Sequence, residues 1–204
     1  MQYKSVYNGL ELLPEDLQGW NGNSPVFRQL IEKVKPTTII ECGSWKGQSS
    51  ITMAKVVADL NLPTIIYCVD TWLGAREFID DDSPERNLML KNGYPQVYYQ
   101  FLSNVVHNNA QSIISPLPTT TTIAARYFKD KGITAELIYI DASHDPQDVQ
   151  LDLANYYPLA TEHGILFGDD FTWNGMEETI SKFCKNNKAS FYVLEKNFWV
   201  IERN

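Results

Sequence analysis

The stretch IIECGSWKGQSS, residues 39–50, joins a buried strand to a helix through a glycine turn. Its first residues form a mostly apolar run, as expected for a strand covered on both faces. Gly43 and Gly47 permit a tight turn, and a helix is predicted from Gln48. Amides exposed at a helix start favour an electronegative ligand group. The two glycines stand four residues apart, so the G-x-G-x-x-G spacing of dinucleotide-binding turns is missing.

Apolar, β-branched runs alternate with segments of helical period along the rest of the chain. This alternation predicts an α/β fold with a Rossmann-like, doubly wound sheet of about seven strands, mostly parallel. The last residues, SFYVLEKNFWVIERN, predict an antiparallel hairpin that turns at Lys196-Asn197. The strands predicted for the parallel part are 37–42, 64–70, 112–117, 136–141 and 164–170.

The chain is predicted to form one domain over residues 1–204, because no linker or repeat divides it. Residues 1–35 are expected to supply an N-terminal cover and a first helix, which Ser24 caps and Pro25 begins. Residues 71–111 form a long connection, which predicts a substrate-side insertion. Within it, Asp80-Asp81-Asp82 is expected to be a solvated loop rather than a metal site.

Composition excludes several classes of function. The net charge of −8, without a cluster of lysine and arginine, argues against a nucleic-acid partner. No apolar run has the length of a membrane span, and MQYKSVYNGLELLPEDLQGW lacks the pattern of a signal peptide. A cytoplasmic location without membrane contact is therefore expected, with the three cysteines as buried thiols. A small-molecule partner is favoured, and the sequence leaves a monomer or a homodimer open.

Acidic residues end three of the predicted strands. Asp70 is placed to accept both hydroxyls of a ribose, with a helix cap as the alternative. Asp141 and the pair Asp169-Asp170 follow strands that are consecutive in sequence, so their carboxylates are expected within a few ångströms of one another. Such a cluster favours Mg²⁺ or another hard divalent cation. In the alternative, one aspartate caps a helix, another binds a ligand ammonium group, and no metal is held.

Four motifs together resemble the class I S-adenosylmethionine (AdoMet)-dependent methyltransferases, and most closely the small O-methyltransferases of the macrocin and catechol types. The E-x-G-x-x-x-G-x-S spacing of residues 41–49 is similar to their first motif, and VDTW around Asp70 to their second. IDASHD and GDDF resemble their metal and catalytic motifs. The closing hairpin is similar to their antiparallel final strand, and the resemblance covers nearly the whole chain.

The resemblance implies roles for individual residues. Asp141, Asp169 and Asp170 would hold the metal, and the turn near Leu117-Pro118 would cover the adenine. Macrocin-type enzymes usually carry a second aspartate where this chain has Ser143, so we assign the proton acceptor to His144, together with Asp141 as a catalytic residue. A hydrogen-bonded structural role is the alternative for His144. The predicted AdoMet-binding residues are Glu41, Gly43, Ser44, Trp45, Gly47, Ser49, Asp70, Thr71, Leu117, Pro118 and Asp141.

Together these expectations predict metal-assisted methylation of a hydroxyl on a small sugar, polyketide or phenolic molecule. Metal coordination would lower the pKa of that hydroxyl, and His144 would accept its proton. One alternative is an NAD(P)-dependent oxidoreductase, which the glycine spacing and the final hairpin oppose. The other is a binding module that retains AdoMet without catalysis.

Overall fold

The computed structural model of the protein describes residues 4–78 and 83–203, so Asp80, Asp81 and Asp82 lie outside the described residues. Seven strands form one sheet in the order β3-β2-β1-β4-β5-β7-β6. The first five are parallel, whereas β7 runs antiparallel to β5 and to β6. The strands are β1 Thr38–Cys42, β2 Ile65–Asp70, β3 Ile114–Pro118, β4 Ala135–Ile140, β5 Ala160–Gly168, β6 Phe191–Leu194 and β7 Phe198–Glu202. The predicted fold class is confirmed.

Six α-helices cover the sheet in two layers. Helices α1 to α3 pack on one face around Phe27, Phe101 and Trp72, and α4 to α6 pack on the other around Phe128 and Tyr156. Both faces of the central strands are thereby removed from water, which is why their sequences are apolar at successive positions. The helices are α1 Pro25–Val34, α2 Gln48–Asp59, α3 Val97–His107, α4 Thr121–Lys131, α5 Pro146–Tyr156 and α6 Met176–Asn187.

Local sequence accounts for where the helices begin. The Ser24 hydroxyl accepts a hydrogen bond from the Val26 amide at 3.2 Å, and Pro25 occupies the first turn of α1. Asp145 and Pro146 start α5 in the same way, with the Asp145 carboxylate accepting from the Gln147 amide. These caps satisfy amides that have no partner inside the helix.

Two predicted boundaries move in the structure. The hairpin turn spans residues 195–197 rather than two residues, with Glu195 and Lys196 at φ of 47° and 62°. The predicted insertion of 71–111 includes α3, whose residues Val97, Phe101 and Val105 are buried in the core. Residues 97–107 therefore belong to the helical layer of the fold, because their apolar stripe packs against the sheet.

A strap, defined as residues 8–23, crosses α3 and the glycine turn without regular helix or strand. Its backbone is held by polar side chains on α3, including Ser103, which accepts from the Leu13 amide at 3.1 Å. At the centre, Asn104 is fully buried and donates to the carbonyls of Asp16 and Lys46, each at 2.7 Å. Its own oxygen accepts from the Asp16 amide at 3.0 Å. Asn104 thus fastens the strap to the turn that follows β1.

We expect Asn104→Ala to lower the free energy of unfolding by about 2–4 kcal/mol, because it leaves several buried polar groups of the strap without partners. Cleavage by chymotrypsin at Leu13, Leu17 and Trp20 should also become faster. Asn187→Ala is the matched control, since Asn187 is exposed at the end of α6, and its effect should stay within about 0.5 kcal/mol. Equal stability and equal cleavage of the two variants would contradict the assigned role of Asn104.

None of the helices in the described part of the chain combines the length and the apolar composition that crossing a bilayer requires.

Candidate active site

A cavity of about 610 Å³ opens at the carboxyl ends of the parallel strands. It lies where the strand order reverses, between β1 and β4, with β2 and β5 on either side. In open α/β sheets this point is the usual place for a ligand, because the loops leaving the two strands diverge there. The residues that line this cavity are therefore the candidates for ligand binding and catalysis.

The glycine turn after β1 forms the floor of the cavity. Gly43 has a φ of +86°, and a Cβ at this position would lie 2.1 Å from the carbonyl oxygen of Asp141. Only glycine lets the turn pack this closely on the end of β4. The residues after it, Ser44 and Trp45, line the cavity. The turn therefore brings backbone to the ligand space, as the sequence predicted.

Asp70, at the end of β2, organises the turn and also lines the cavity. Its Oδ2 accepts from the amides of Ser44 and Trp45, both at 2.9 Å, and its Oδ1 accepts from the Trp72 amide at 2.7 Å. Burial raises the pKa of Asp70, although these amides oppose the rise. A carboxylate has about four acceptor positions. The Thr71 amide is a fourth donor to this carboxylate, which lines the cavity while it holds the surrounding backbone in place.

Glu41 is placed differently from the sequence expectation. It is fully buried and does not line the cavity. Its carboxylate accepts from the hydroxyls of Ser44 at 2.8 Å and Ser49 at 2.6 Å, and also from the hydroxyl of Ser50. Burial raises the pKa of Glu41, while these hydroxyls lower it. Glu41 therefore ties the turn to the start of α2 from behind, instead of facing a ligand.

Three carboxylates meet at the ends of β4 and β5. Ile140 pairs with Gly168, so Asp141 stands beside Asp169. Burial, followed by repulsion from Asp169, raises the pKa of Asp141 well above its usual range. Burial and then the charge of Asp170 raise the pKa of Asp169 to about 6. Asp169 also accepts from the Asn21 side chain of the strap at 3.3 Å. Burial and the neighbouring carboxylates thus disfavour full ionisation of the cluster by itself.

His144 lies between this cluster and the segment after β2. Its Nε2 is 2.9 Å from Asp170 Oδ2, its Nδ1 is 2.8 Å from Glu77 Oε1, and its ring lies on Trp173 with centroids 4.5 Å apart. Burial opposes protonation, but the hydrogen bonds with Asp170 and Glu77 outweigh it and raise the pKa of His144 to about 9. In this arrangement the imidazole is protonated at neutral pH, which differs from the proton acceptor expected from the sequence.

We expect thermal stability without divalent cations to fall steadily from pH 5 to pH 9. Between the unfolded and folded pKa values the native state binds more protons than the unfolded state, so stability decreases as pH rises. For Asp169 this window is about 4 to 6, and for His144 it is about 6.5 to 9.

Differential scanning fluorimetry at fixed ionic strength measures this dependence. His144→Gln should flatten the part above pH 6.5 and should also extend the lower part to higher pH, because the charge of His144 lowers the pKa of Asp169. A melting temperature that is constant or rises with pH would contradict the assigned protonation states.

Aromatic side chains form one wall of the cavity entrance. Trp45 packs edge-on against Phe78, with centroids 4.9 Å apart, and Trp20 of the strap lies 6.0 Å from Phe78 and 6.5 Å from Trp45. The Gln18 side chain accepts from the Trp45 indole at 3.0 Å. Flat apolar surfaces of this kind bind rings by stacking, so the wall favours a ring-containing ligand.

The structure brings most of the predicted site residues to the cavity and leaves four outside it. Gly47 starts α2 at a φ of 90° beneath the turn, and Leu117 and Pro118 end β3 without lining the cavity. Glu41 is the fourth, as described above. Predicted residues that do line the cavity are Gly43, Ser44, Trp45, Ser49, Asp70, Thr71, Asp141, His144, Asp169 and Asp170.

Other residues of the cavity come from the two segments that were expected to cover it. Trp20 and Asn21, in the predicted N-terminal cover, reach it through the strap, and Glu77, in the predicted substrate-side insertion, contacts His144. Thr119–Thr122 replace Leu117-Pro118 as the wall beyond β3, because the strand continues to Pro118 and the chain turns into the cavity only afterwards. Asp152, on α5, was also missed because it occupies one position of an ordinary amphipathic helix.

The part of the chain that forms this site is similar to known proteins. Residues 40–171, which contain the glycine turn, Asp70 and the carboxylate cluster, match the model of a family described as a methyltransferase domain. The chain is also 27% identical over 154 residues to the uncharacterized protein y4gI of Sinorhizobium fredii (strain NBRC 101917 / NGR234). That match covers 74% of this chain but only 15% of the curated relative, which is much longer.

Two solved structures have the same fold. The O-methyltransferase NovP superposes with a TM-score of 0.67 at 15% identity, and the match covers 98% of this chain and 88% of that one. The O-methyltransferase from Bacillus cereus, in complex with SAH, gives a TM-score of 0.60 at 15% identity with the same coverage of 98% and 88%. At this level of identity the likeness establishes the fold alone.

Proposed function

This chain belongs to the methyltransferase family, and we propose that it transfers the methyl group of AdoMet to a hydroxyl oxygen of a small molecule with the help of a divalent cation. The observation that carries the proposal is the convergence of the glycine turn, Asp70 and the carboxylate cluster on one cavity. The turn and Asp70 suit a nucleoside, and the cluster suits a cation that holds a hydroxyl. The O-methyltransferase names of the two structural neighbours support the choice of oxygen as acceptor.

The cofactor would lie along the strand ends. Asp70 would accept the ribose hydroxyls, and the backbone of Ser44 and Trp45 would contact the methionine part. In this assignment the turn after β1, Asp70 on β2 and the residues after β3 would hold the cofactor. The carboxylate cluster lines the same cavity and would hold the acceptor hydroxyl.

The carboxylate cluster fits a divalent cation. Its donors are hard oxygen atoms, and the pKa values of Asp141 and Asp169 are raised first by burial and then by neighbouring carboxylates, both of which a cation would offset. Asp141, Asp169 and Asp170 would hold it, and when bound it would lower the pKa of a coordinated hydroxyl. Single ligand atoms of Asp141, His144 and Asp170 lie within 4.8 Å of one another, so two of the three proposed ligands belong to this group, whereas Asp169 is not part of it.

Residues of this chain would accept the proton of the acceptor hydroxyl and orient the side chain that accepts it. Engagement of Asp170 by another ligand would remove the carboxylate partner of His144 Nε2 and lower the pKa of the imidazole. The ring would then release its Nε2 proton, and this nitrogen would accept the hydroxyl proton. Glu77 would keep Nδ1 oriented. In the proposed transfer the hydroxyl oxygen would attack the methyl carbon, the carbon–sulfur bond would break, and its electron pair would stay on sulfur. The products are a methyl ether and S-adenosylhomocysteine, with the proton on His144.

The aromatic wall indicates the kind of acceptor. Trp20, Trp45 and Phe78 offer stacking surfaces for a phenolic ring, a polyketide ring or the apolar face of a sugar. The proposal includes a cytoplasmic location, supported by three cysteines that are all buried as free thiols. The methyltransferase family match leaves the NAD(P)-dependent oxidoreductase without support.

We expect S-adenosylhomocysteine to raise the melting temperature, because a ligand at a hundred times its dissociation constant stabilises a protein by about 2.7 kcal/mol. NADH at equal concentration should have no effect. Turnover is then measured with [methyl-³H]AdoMet and a panel of phenols and glycosides, with Mg²⁺ or with EDTA. Stabilisation by NADH alone would overturn the proposed cofactor, and full turnover in EDTA would remove the cation from it. Binding of AdoMet without turnover of any acceptor would favour the non-catalytic module.

A further inference from the structure

Asp152 is a buried carboxylate for which the mechanism above has no use. It lies on α5, is only 3% exposed and lines the cavity next to Thr121, with which it shares a side-chain hydrogen bond. Among the described residues it forms no ion pair with lysine or arginine. Burial raises its pKa to about 6, so it is mainly ionised at neutral pH and acts as an acceptor. A buried carboxylate with spare acceptor positions is costly unless a ligand supplies donors.

The position of Asp152 relates it to one part of the proposed cofactor. Asp70 ends β2, and β3 is the next strand outward, followed by the cavity-lining residues Thr119–Thr122. A nucleoside whose ribose lies at Asp70 therefore places its base near these threonines. Helices α4 and α5 pack side by side, which brings Asp152 to the same end of the cavity as Thr121. The base would meet threonine hydroxyls from one helix and a carboxylate from the other.

The chemistry of this end of the cavity matches adenine. The exocyclic 6-amino group of adenine offers two N–H donors, whereas a 6-oxopurine presents a carbonyl oxygen at the same position. A carboxylate accepts from the amino group and repels the oxygen. A site built to accept from an N–H group rejects an analogue that lacks it more strongly than an apolar pocket does, because the buried acceptor is then left unpaired.

We infer that Asp152 is a specificity residue for the nucleobase: its carboxylate accepts a hydrogen bond from the 6-amino group of adenine and selects the adenosyl cofactor over 6-oxopurine analogues. This inference rests on the proposed function, since it requires the adenosyl cofactor to occupy the cavity. This contact would come from α5, whereas the other proposed cofactor contacts come from the ends of the strands. Asp152 contributes to cofactor choice and takes no part in the transfer step.

Isothermal titration calorimetry with S-adenosylhomocysteine and S-inosylhomocysteine tests the inference. The unmodified protein should bind the adenosyl compound at least about 30-fold more tightly, because a hydrogen bond to a charged group changes affinity by about 10- to 100-fold. Asp152→Asn should weaken adenosyl binding about 10-fold and strengthen inosyl binding, since its amide N–H can donate to the 6-oxo group. Asp130→Asn removes the same charge at an exposed position on α4 and should leave both affinities unaltered.

The possible results separate the two proposals. If the unmodified protein binds neither compound, the proposed function itself fails. If it binds both with equal affinity, or if Asp152→Asn and Asp130→Asn retain the same discrimination, the cofactor assignment stands and the role of Asp152 is wrong. The measurement on the unmodified protein needs no variant, so it decides even if Asp152→Asn folds poorly. Thermal unfolding of each variant shows whether that variant is folded.

Discussion

Asp141→Asn is expected to weaken the binding of Mn²⁺ at least about 100-fold and to reduce kcat/KM for methyl transfer by about 10³-fold. Asp141 stands at the end of β4, beside Asp169 and within reach of Asp170. In the proposed mechanism it contributes a ligand to the cation and part of the field that aligns the acceptor hydroxyl. Loss of one of three carboxylates therefore affects both binding and transfer.

Folding is not expected to suffer from this change. Burial and then repulsion by Asp169 already raise the pKa of Asp141, so a neutral asparagine removes a disfavoured charge when no cation is present. The melting temperature in EDTA should be equal to or above that of the unmodified protein. Stability in EDTA thus separates a functional loss from a folding defect.

Electron paramagnetic resonance of free Mn²⁺ measures the affinity without any acceptor substrate. Asp130→Asn serves as the control for the loss of one carboxylate charge at an exposed position. If Asp141→Asn retains the Mn²⁺ affinity of the unmodified protein, the carboxylate cluster is not the cation site. If affinity falls but turnover persists, the cation has no part in the transfer.

Glu41→Ala is expected to lower the free energy of unfolding by about 3–5 kcal/mol, the largest stability effect that we foresee. Glu41 is fully buried at the end of β1 and accepts from three serine hydroxyls, of Ser44, Ser49 and Ser50. Alanine leaves these hydroxyls without their acceptor and opens a cavity behind the glycine turn. The turn should then lose its defined conformation, and affinity for S-adenosylhomocysteine should fall with it.

Glu41→Gln distinguishes loss of the network from loss of charge. Glutamine keeps the shape and one oxygen acceptor, and burial disfavours the charge in the native protein, so its cost should be about 1 kcal/mol or less. Urea denaturation of both variants is compared with Glu32→Ala, which truncates an exposed glutamate on α1. A loss for Glu41→Ala no larger than that for Glu32→Ala would show that the serine network does not hold the turn.

Much of the candidate site could be predicted from the residues that end the strands. Parallel strands deliver their carboxyl ends to one edge of a sheet, so the acidic residues that end apolar runs were expected together. The register of Ile140 with Gly168 places Asp141 beside Asp169 in the way this argument requires. The direction of a single side chain was not predicted in the same way. Glu41 lies in the same motif as Gly43, yet it points away from the cavity towards the serines of α2.

The sequence by itself determined the fold class, the cap of α1, and the residues that end β2, β4 and β5, because these features depend on periodicity and on neighbours along the chain. Only the tertiary structure decided how the strap closes the cavity, that Glu77 pairs with His144, and that Asp152 lines the cavity. Those contacts join residues far apart in the chain, such as Asp16 with Asn104 and Asn21 with Asp169. A polar residue in an irregular segment or on a helix face has no periodic signal. Its partner is therefore fixed only when the core packs and brings the two surfaces together.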